Sequence, residues 1–389
     1  MLRAIELFAG AGGLALASSG AGFRHEAVIE RNRDACETLR RNRDRRVEHV
    51  VSWPIHETDV RTFDYSGLSA PVDLVAGGPP CQPFSLGGKH RGHADERNMF
   101  PEAVRAVREL APRAFVFENV RGLTRQSFLG YFEYIILQLT HPEVERRPDE
   151  DWESHLARLE RHHTAGGIKG LSYNVVYRVL DAADFGVPQH RLRVFIVGFR
   201  SDIRIDWSFP EPTHSEDALL HDKWVSGDYW KRHGIPPRQR PAPAERELAR
   251  VRVLESSLFP PTESPWRTVR DAIASLPEPT SSSSPLIENH VLNPGARPYA
   301  GHTGSRIDEP AKTLKAGDHG VPGGENMLAL PDGSVRYFTV RESARLQTFP
   351  DSFTFSGAWS ECMRQLGNAV PVQLGMVVMR DVGARLEMA

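Results

Sequence analysis

Alternation between short apolar runs and helical patterns dominates the first 200 residues of this chain and constrains its fold most. The apolar runs are residues 3–9, 25–30, 73–78, 114–119, 174–180 and 193–200. Helical patterns lie between them, as in residues 33–42 and 101–110. This order predicts an α/β fold built on a doubly wound, mostly parallel sheet of the Rossmann-like type. Such sheets bind ligands at the carboxyl ends of their strands, so functional residues are expected there.

The composition changes at about residue 209, where proline, serine, histidine and charged residues begin to dominate. Segments such as "GIPPRQRPAPAERE" and "PEPTSSSSP" break regular structure and predict a smaller, irregular second domain. Order returns near residues 335–350, and the chain closes with an apolar helix after an Asn-Ala-Val-Pro turn. Residues 140–170 interrupt the first pattern and predict an exposed, charged helix inserted before the fifth of the apolar runs.

The overall composition is that of an ordinary soluble globular protein. Of its 389 residues 40% are hydrophobic and 25% are charged, and the formal net charge is -2. This balance argues against a small basic DNA-binding module, but an enzyme with a local basic cleft is compatible with it. The N-terminus imitates a secretory signal, yet Glu6 and nearby glycines interrupt it. No other run approaches the roughly 18 apolar residues of a membrane span, so we expect a soluble, cytoplasmic protein.

Three cysteines, Cys36, Cys81 and Cys362, lie far apart in the sequence and form no Cys-x-x-Cys pair. This spacing fits a reducing compartment and excludes a zinc cluster built on cysteines. Cys81 differs from the other two because prolines surround it in "GGPPCQPFS". Proline fixes φ and removes a backbone donor, so this stiff segment indicates a thiol that is presented to a ligand. The alternative is a buried structural cysteine.

A glycine turn, "FAGAGGL" (residues 8–14), follows the first predicted strand. Its spacing is neither that of a dinucleotide-binding fingerprint nor that of a P-loop, so it indicates close approach of a ligand without a pyrophosphate. Glu30 ends the second predicted strand, where an acidic side chain accepts hydrogen bonds from ribose hydroxyls. Asp59 follows at a position that suits an adenine edge. Together these residues indicate S-adenosylmethionine; the alternative for Asp59 is a simple turn residue.

Two further segments carry candidate catalytic side chains. Glu118 in "FENV" ends an apolar strand, where burial favours a carboxyl group that carries a proton; a salt-bridged carboxylate or a residue beside a helix cap is the alternative. Arg191 and Arg193 in "QHRLR" are two residues apart in an extended segment. Their side chains therefore point the same way and can reach one anionic or carbonyl group. Solvated surface arginines are the alternative there.

The order of these segments closely resembles the motif set of the DNA cytosine-C5 methyltransferases. "FAGAGGL", "GGPPCQPFS", "ENV", "QHRLR", "RESARLQTFP" and "QLGNAVP" follow one another over residues 1 to about 200 and about 335 to 375. The resemblance implies a catalytic and cofactor-binding domain (1–208) and a target-recognition domain (209–340). A hinge and motif segment (341–365) and a C-terminal helix that returns to the catalytic domain (366–389) follow.

By the same resemblance, Cys81 adds to C6 of cytosine and makes C5 nucleophilic enough to accept a methyl group. Glu118 hydrogen-bonds or protonates N3, Arg193 contacts the carbonyl oxygen, and Arg191 orients its neighbours. The implied methyl donor is S-adenosylmethionine, which leaves as S-adenosylhomocysteine, and no metal is expected. The residues implied to hold this cofactor are Phe8, Gly10, Gly12, Gly13, Leu14, Glu30, Asp59, Val60, Met99 and Asn368.

The implied substrate is a cytosine within a specific sequence of double-stranded DNA, which must flip out of the duplex. A loop after the nucleophile is implied to cover it, with Ser85, Gly87, Gly88, Lys89 and Arg91. We expect a monomeric bacterial modification enzyme, associated with the nucleoid and paired with a restriction endonuclease. Alternatives are an RNA cytosine-C5 methyltransferase, a binding protein that keeps the fold without catalysis, and a cysteine hydrolase. The long middle region favours DNA, and the presence of Cys81, Glu118 and Arg193 favours catalysis.

Overall fold

The structure is a computed structural model that describes residues 1–68, 71–80, 98–165, 170–280, 286–299, 303–316, 326–330 and 332–389. It divides into two compact units. The first unit comprises Met1–Leu180, Leu192–Pro210 and Gly375–Ala389, and the second comprises Asp181–Arg191 and Glu211–Leu374. No helix within the described ranges is both long enough and apolar enough to cross a membrane.

The described residues of the first unit build a sheet of seven strands. Its elements are β1 (Arg3–Leu7), α1 (Gly13–Gly20), β2 (Arg24–Glu30), α2 (Arg33–Asp44), β3 (Ile55–Glu57), β4 (Leu74–Gly77), α3 (Phe100–Leu110), β5 (Ala114–Val120), α4 (Leu129–Thr140), α5 (Trp152–Thr164), β6 (Tyr173–Asp181) and β7 (Leu192–Arg200). The strand order is β3-β2-β1-β4-β5-β7-β6. Neighbours from β3 to β5 are parallel, and β7 is antiparallel to β5. The prediction of a doubly wound, mostly parallel sheet is confirmed, and the winding reverses between β1 and β4.

Burial on both faces explains why these strands appear in the sequence as continuous apolar runs. All four residues of β4 and six of the seven in β5 are buried. Phe115 and Phe117 lie on one face of β5 and stack with ring centroids 5.3 Å apart. Phe100 of α3 and Phe132 of α4 belong to the same core cluster. The sheet is therefore fixed by packing, and its carboxyl edge is available for a ligand site.

Three elements of the first unit, α1, β3 and α4, have no counterpart among the predicted elements. α1 begins at Gly13, within the predicted glycine turn, and most of its residues are buried, so it shows no polar face. β3 has only three residues, two of them exposed, so no apolar run marks it. α4 is apolar on most sides because it packs in the core and therefore lacks the polar face that helical periodicity requires. The first predicted strand (3–9) extends two residues beyond β1, since Phe8 has a φ of 54° and leaves the extended conformation.

The charged segment between residues 140 and 170 contains α5. Asp151 caps this helix by accepting a hydrogen bond from the Ser154 amide at 2.7 Å. Most of its side chains are charged or polar, but His155 and Leu159 are buried. His155 contacts Tyr134 of α4. The insertion is thus a helix with a packing face of its own.

The second unit consists of short elements. They are β8 (His214–Ser215), α6 (Glu216–Leu220), α7 (Asp228–Arg232), α8 (Glu245–Ser256), β9 (Ser264–Pro265), α9 (Val269–Ile273), β10 (Ser305–Arg306), β11 (Met327–Ala329), β12 (Val335–Tyr337), α10 (Val340–Leu346), α11 (Trp359–Asn368) and the start of α12 (Val372–Met388). Leu219, Tyr229 and Trp230 form a small apolar cluster. Asp308 accepts hydrogen bonds from Tyr229 at 2.7 Å and from Arg270 at 2.6 Å. This part of the second unit is thus held by a small aromatic cluster and ionic contacts, whereas the first unit has one large apolar cluster.

Candidate active site

The turn after β1 lies at the carboxyl edge of the sheet, where the winding reverses. Three of its residues have positive φ: Phe8 (54°), Gly10 (53°) and Gly12 (84°). A β-carbon on Gly12 would lie 2.9 Å from the side chains of Leu39 and Trp53, whereas one on Gly10 would meet no described heavy atom within 4 Å. Gly12 therefore lets the turn pack closely, and Gly10 borders open space that can admit a ligand.

Glu30, the last residue of β2, ties this turn to its neighbouring strand. Its Oε2 accepts a hydrogen bond from the Gly10 amide and its Oε1 accepts one from the Asn32 amide, both at 2.7 Å. Only 9% of the residue is exposed. Each carboxylate oxygen has two lone pairs, so the group that holds the turn can also accept hydrogen bonds from hydroxyl groups of a ligand.

Asp59 follows β3 and begins a 3-10 turn (Val60–Thr62). Its Oδ1 accepts hydrogen bonds from the amide and the Nε of Arg61, both at 3.0 Å. Its Oδ2 accepts from Arg61 Nη2 at 2.7 Å and from Arg31 Nη1 at 3.4 Å. The hydrogen bonds from Arg61 hold the pKa of the Asp59 carboxyl well below its usual range. Asp59 is therefore an ionised turn residue that forms ion pairs with Arg31 and Arg61.

The two prolines before Cys81 are held by their carbonyl groups. Asn119 Nδ2 donates to the Pro79 carbonyl at 2.8 Å, and the Met99 amide donates to the Pro80 carbonyl at 3.1 Å. Proline has no N–H of its own, so these bonds fix the segment from outside. Cys81 lies outside the described residues, as do the predicted loop residues Ser85, Gly87, Gly88, Lys89 and Arg91.

Glu118 and Arg193 form an ion pair at the carboxyl end of β5. Pairing of β5 with β7 sets Val120 opposite Arg193, so Glu118 and Arg193 are diagonal neighbours. Arg193 Nε lies 2.8 Å from Glu118 Oε1, and the two side chains are 12% and 8% exposed. Burial lowers the pKa of Arg193, an effect that the Glu118 charge opposes. The guanidinium stays charged, so a cation and a carboxylate stand side by side at the strand end.

Arg191 is fully buried within the second unit. Its guanidinium donates to three backbone carbonyls, those of Leu314 (2.9 Å), Gly367 (2.6 Å) and Ala369 (2.9 Å). These bonds fix the backbone on both sides of Asn368. The prediction that Arg191 and Arg193 reach one group together is wrong for this structure. The Arg191 guanidinium donates to backbone carbonyls, whereas Arg193 contacts Glu118. Arg191 also lies before β7, which begins at Leu192.

A glycine turn with an acidic strand end, a carbonyl-anchored Pro-Pro pair and a buried Glu–Arg pair thus occur in one unit. The family model described as C-5 cytosine-specific DNA methylase matches residues 2–142 and 160–384. The chain belongs to this family. The resemblance in motif order is confirmed, and the protein is a DNA cytosine-C5 methyltransferase. Residues 143–159 of the methylase lie outside the match and include the first part of α5.

The methylase is similar over nearly its whole length to type II methyltransferases. It is 30% identical to M.PspPI of Psychrobacter sp. (strain TA137) over 377 residues, which cover 96% of this chain and 77% of that protein. It is 29% identical to M.NgoMIV of Neisseria gonorrhoeae over 382 residues, with 97% and 96% covered. Both relatives are type II methyltransferases by name.

Solved structures support the fold of the methylase. The S. pombe Dnmt2 methyltransferase matches with a TM-score of 0.56 at 19% identity and covers 100% of this chain and 99% of its own. The Entamoeba histolytica methyltransferase EhMeth matches with a TM-score of 0.55 at 13% identity, with 99% and 98% covered. At these identities the likeness concerns the Rossmann-like fold alone.

The family implies S-adenosylmethionine as the methyl donor, and the turn after β1 fits it. Gly10 borders open space, and Glu30 presents carboxylate oxygens beside that turn. Asp59 fits less simply, because its oxygens already accept from Arg31 and Arg61. An adenine amine would have to share this carboxylate with the two guanidinium groups.

The other predicted cofactor residues differ in exposure and place. Gly13, Leu14 and Val60 are buried in the first unit, as is Met99 at the start of α3. Asn368 ends α11 in the second unit. Within the described residues no group of three or more His, Cys, Asp or Glu side chains could hold a metal ion.

Sequence reasoning assigned no role to two amide side chains of the methylase, Asn119 and Gln189. Asn119 anchors Pro79. Gln189 Oε1 accepts from the Leu314 amide at 2.8 Å, and its Nε2 donates to the Leu346 carbonyl at 3.3 Å. Asn119 lies in "ENV", and Gln189 begins "QHRLR". An uncharged amide beside the charged residues of such a motif is the signal that could have identified them.

Proposed function

We propose that this methylase transfers the methyl group of S-adenosylmethionine to C5 of a cytosine in a specific duplex DNA sequence, through a covalent bond between Cys81 and C6. The observation that carries the proposal is the buried Glu118–Arg193 pair beside two prolines with anchored carbonyls. Such a pair can offer a carboxyl group to a ring nitrogen and a guanidinium to the ring carbonyl of the same base.

When bound, S-adenosylmethionine supplies an electrophilic methyl group on a positively charged sulfur. The turn from Phe8 to Gly13 would hold it through backbone contacts at Gly10. Glu30, already bonded to the Gly10 amide, would accept hydrogen bonds from the ribose hydroxyls, and Asp59 and Val60 would border the adenine. Leu14, Met99 and Asn368 stay predicted contributors to the same pocket.

The chemistry begins when the Cys81 thiolate adds to C6 of the flipped cytosine. Negative charge then develops on the ring. Glu118, which takes up a proton from solvent as the cytosine binds, delivers it to N3 while Arg193 stabilises the carbonyl oxygen. C5 has become an enamine carbon and would take the methyl group as its bond to the sulfonium sulfur breaks, with S-adenosylhomocysteine as the leaving group. A base removes the C5 proton, the double bond between C5 and C6 reforms, and the Cys81 thiolate leaves. N3 returns its proton to Glu118, so the enzyme is regenerated with 5-methylcytosine as product.

The substrate must be extruded from its duplex, because C6 of a stacked cytosine is not accessible to a thiolate. We assign sequence recognition to the second unit. Its segments 289–304 and 315–327 are rich in Gly, His, Asn and Arg and are our candidates for reading bases, and both lie partly outside the described residues. The setting is a bacterial restriction-modification system, in which an endonuclease cuts the same sequence when it is unmethylated. The enzyme would work as a monomer at the nucleoid.

A trapping assay tests the proposal. The protein and S-adenosylmethionine are mixed with a broad pool of duplex DNA that contains 5-fluorocytosine, which cannot lose its C5 substituent. We expect a covalent DNA adduct that resists denaturation. Cys81→Ser should abolish it. Cys362→Ser is the matched control, since burial raises the pKa of the Cys362 thiol to about 12 and makes it a poor nucleophile.

Three outcomes would contradict the proposal. An adduct with an RNA control but not with DNA would move the function to RNA methylation. An adduct that survives in Cys81→Ser would remove Cys81 from its role as nucleophile. The absence of any adduct across the DNA pool would leave the family fold without the chemistry assigned to it.

A further inference from the structure

The segment that the family model leaves unmatched, residues 143–159, packs on α4 through Trp152. The Trp152 ring centroid lies 5.5 Å from that of Tyr131 and 5.8 Å from that of Tyr134, both on α4. Both tyrosines are buried. The insertion therefore covers two tyrosines of one helix in nearly the same way, and their hydroxyl groups distinguish them.

The Tyr134 hydroxyl faces the insertion. It lies 2.8 Å from His155 Nδ1, and His155 Nε2 lies 2.7 Å from the Val144 carbonyl. A carbonyl only accepts, so Nε2 carries the hydrogen, Nδ1 accepts and the Tyr134 hydroxyl donates. Burial lowers the pKa of His155, which favours this neutral form. The hydrogen bonds from Tyr134 through His155 to Val144 therefore join α4 to the insertion.

The Tyr131 hydroxyl has a different partner, Asn98, whose Nδ2 donates to it. Asn98 directly precedes Met99, and the Met99 amide donates to the Pro80 carbonyl at 3.1 Å. Pro80 in turn directly precedes Cys81 in the sequence. A chain of contacts thus runs from the Tyr131 hydroxyl to the residue before the proposed nucleophile.

We propose that Tyr131 is a positioning residue for methyl transfer. Its hydroxyl fixes Asn98, so that the Met99 amide holds the carbonyl of Pro80, the residue directly before Cys81 in the sequence. The inference rests on the proposed function, because the placement of Cys81 matters only if Cys81 is the nucleophile. Placement then matters steeply, since a shift of about 1 Å at a reacting group costs up to roughly 100-fold in rate.

Two tyrosine-to-phenylalanine variants test this inference. Tyr131→Phe and Tyr134→Phe each remove one buried hydroxyl from α4 and leave the ring against Trp152. We expect Tyr131→Phe to slow single-turnover formation of the 5-fluorocytosine adduct about tenfold, with an unchanged Kd for DNA. Tyr134→Phe should react at the wild-type rate. Their melting temperatures should fall by similar amounts, since each loses one buried hydrogen bond.

Hydrogen exchange at the Met99 amide gives a readout that does not depend on catalysis. Tyr131→Phe should speed exchange at Met99, whereas Tyr134→Phe should leave it as in the wild type. Asn98→Ala places both residues on one path: adding Tyr131→Phe to Asn98→Ala should slow adduct formation no further, because the hydroxyl acts through Asn98.

Wild-type adduct rates and wild-type Met99 exchange in Tyr131→Phe would overturn the inference. So would a loss of rate that both phenylalanine variants share in proportion to their loss of melting temperature, since that would make Tyr131 a core residue only. If the wild-type protein itself forms no adduct, the proposed function fails instead. Exchange at Met99 then still decides whether Tyr131 fixes this backbone.

Discussion

Each unit of the methylase contains a buried Glu–Arg pair, and the two pairs are built differently. In the second unit, Glu342 accepts hydrogen bonds from Nη1 and Nη2 of Arg336, at 2.8 and 2.6 Å. It also accepts one from the Thr339 amide at 2.8 Å. In the first unit, Arg193 approaches Glu118 through its Nε, which lies 2.8 Å from Glu118 Oε1. The Glu342 pair caps α10 as part of a capping box, whereas the Glu118 pair stands at the carboxyl edge of the sheet.

Residue type and burial therefore do not decide what a charged pair does. A bidentate pair with a capping bond has its hydrogen-bonding capacity directed into the scaffold, and it holds a helix end. A pair at the carboxyl end of a parallel strand lies where α/β sheets bind ligands, and its groups can turn to a base. Substituting each glutamate by glutamine should therefore separate activity from stability.

The largest effect is expected for Glu118→Gln. The amide keeps the size of the side chain but cannot deliver a proton to N3, so single-turnover methylation should fall about 10²- to 10⁴-fold. Transfer of a labelled methyl group to duplex DNA measures this rate. Glu342→Gln is the matched control and should retain the wild-type rate per folded molecule. Comparable losses in both variants would show that the Glu118 pair acts on methylation through the scaffold only.

The next effect is expected in stability. Glu342→Gln leaves the buried Arg336 without its carboxylate, and breaking such a pair costs about 3 kcal/mol in the free energy of unfolding. Urea unfolding monitored by tryptophan fluorescence measures it. Glu361→Gln, which removes an i,i+3 partner of the more exposed Arg364, should cost less than about 1 kcal/mol. Equal losses in these two variants would contradict the distinction between buried and surface pairs.

The sheet of the methylase could be predicted from the sequence because its strands are buried on both faces. β4 and β5 appear as unbroken apolar runs, and the polar residues Glu118 and Asn119 near the end of β5 mark the carboxyl edge of the sheet. The glycine turn and Glu30 also lie within one β-α-β stretch, so their spacing is a local property of the chain. β3 could not be predicted because it is short and mostly exposed and so forms no apolar run, and α4 could not because it lacks a polar face.

The details of the candidate site depend on contacts between distant parts of the chain. Arg191 and Arg193 are equivalent in the sequence, yet the partners of Arg191 lie 123 to 178 residues away. The Asn98–Tyr131 bond spans 33 residues. A motif states which residue types are present, and only tertiary packing decides that one arginine meets carbonyls while the other meets a carboxylate.

Asp59 is a third carboxylate that pairs with arginine, since Arg31 and Arg61 both contact it. Asp59→Asn removes the charge that holds Arg31 and Arg61, so we expect the Kd for S-adenosylmethionine to rise about tenfold, or 1.4 kcal/mol. Isothermal titration calorimetry without DNA measures it. Asp64→Asn is the control. Asp64 also lies in a short turn and accepts a hydrogen bond from the Ser66 amide at 2.9 Å, but it is not a predicted cofactor residue. Equal Kd values for Asp59→Asn and the wild type would remove Asp59 from the pocket.

The smallest effect concerns a pair whose cation can lose its charge. His190 Nδ1 lies 2.9 Å from Asp181 Oδ2 in the second unit. Burial alone would lower the pKa of His190, but the hydrogen bond and charge of Asp181 outweigh it and raise that pKa above its ordinary value. A raised histidine pKa stabilises the fold at pH values below its unfolded pKa, about 6.5, and this contribution is lost as pH rises through the folded pKa.

Asp181→Asn isolates this contribution. In the wild type, Asp181 Oδ1 accepts a hydrogen bond from the backbone amide of Arg191 at 2.9 Å, and the side-chain oxygen of asparagine can still accept it. We expect the wild type to exceed the variant in unfolding free energy by less than about 1 kcal/mol near pH 5.5, because the half-exposed imidazole is screened by solvent. The difference should shrink as pH rises toward 8.5, because neutral His190 gains little from the carboxylate. Urea unfolding of both proteins across this range measures it. A difference that stays constant or grows with pH would show that Asp181 stabilises the unit through its backbone hydrogen bonds and not through the charge of His190.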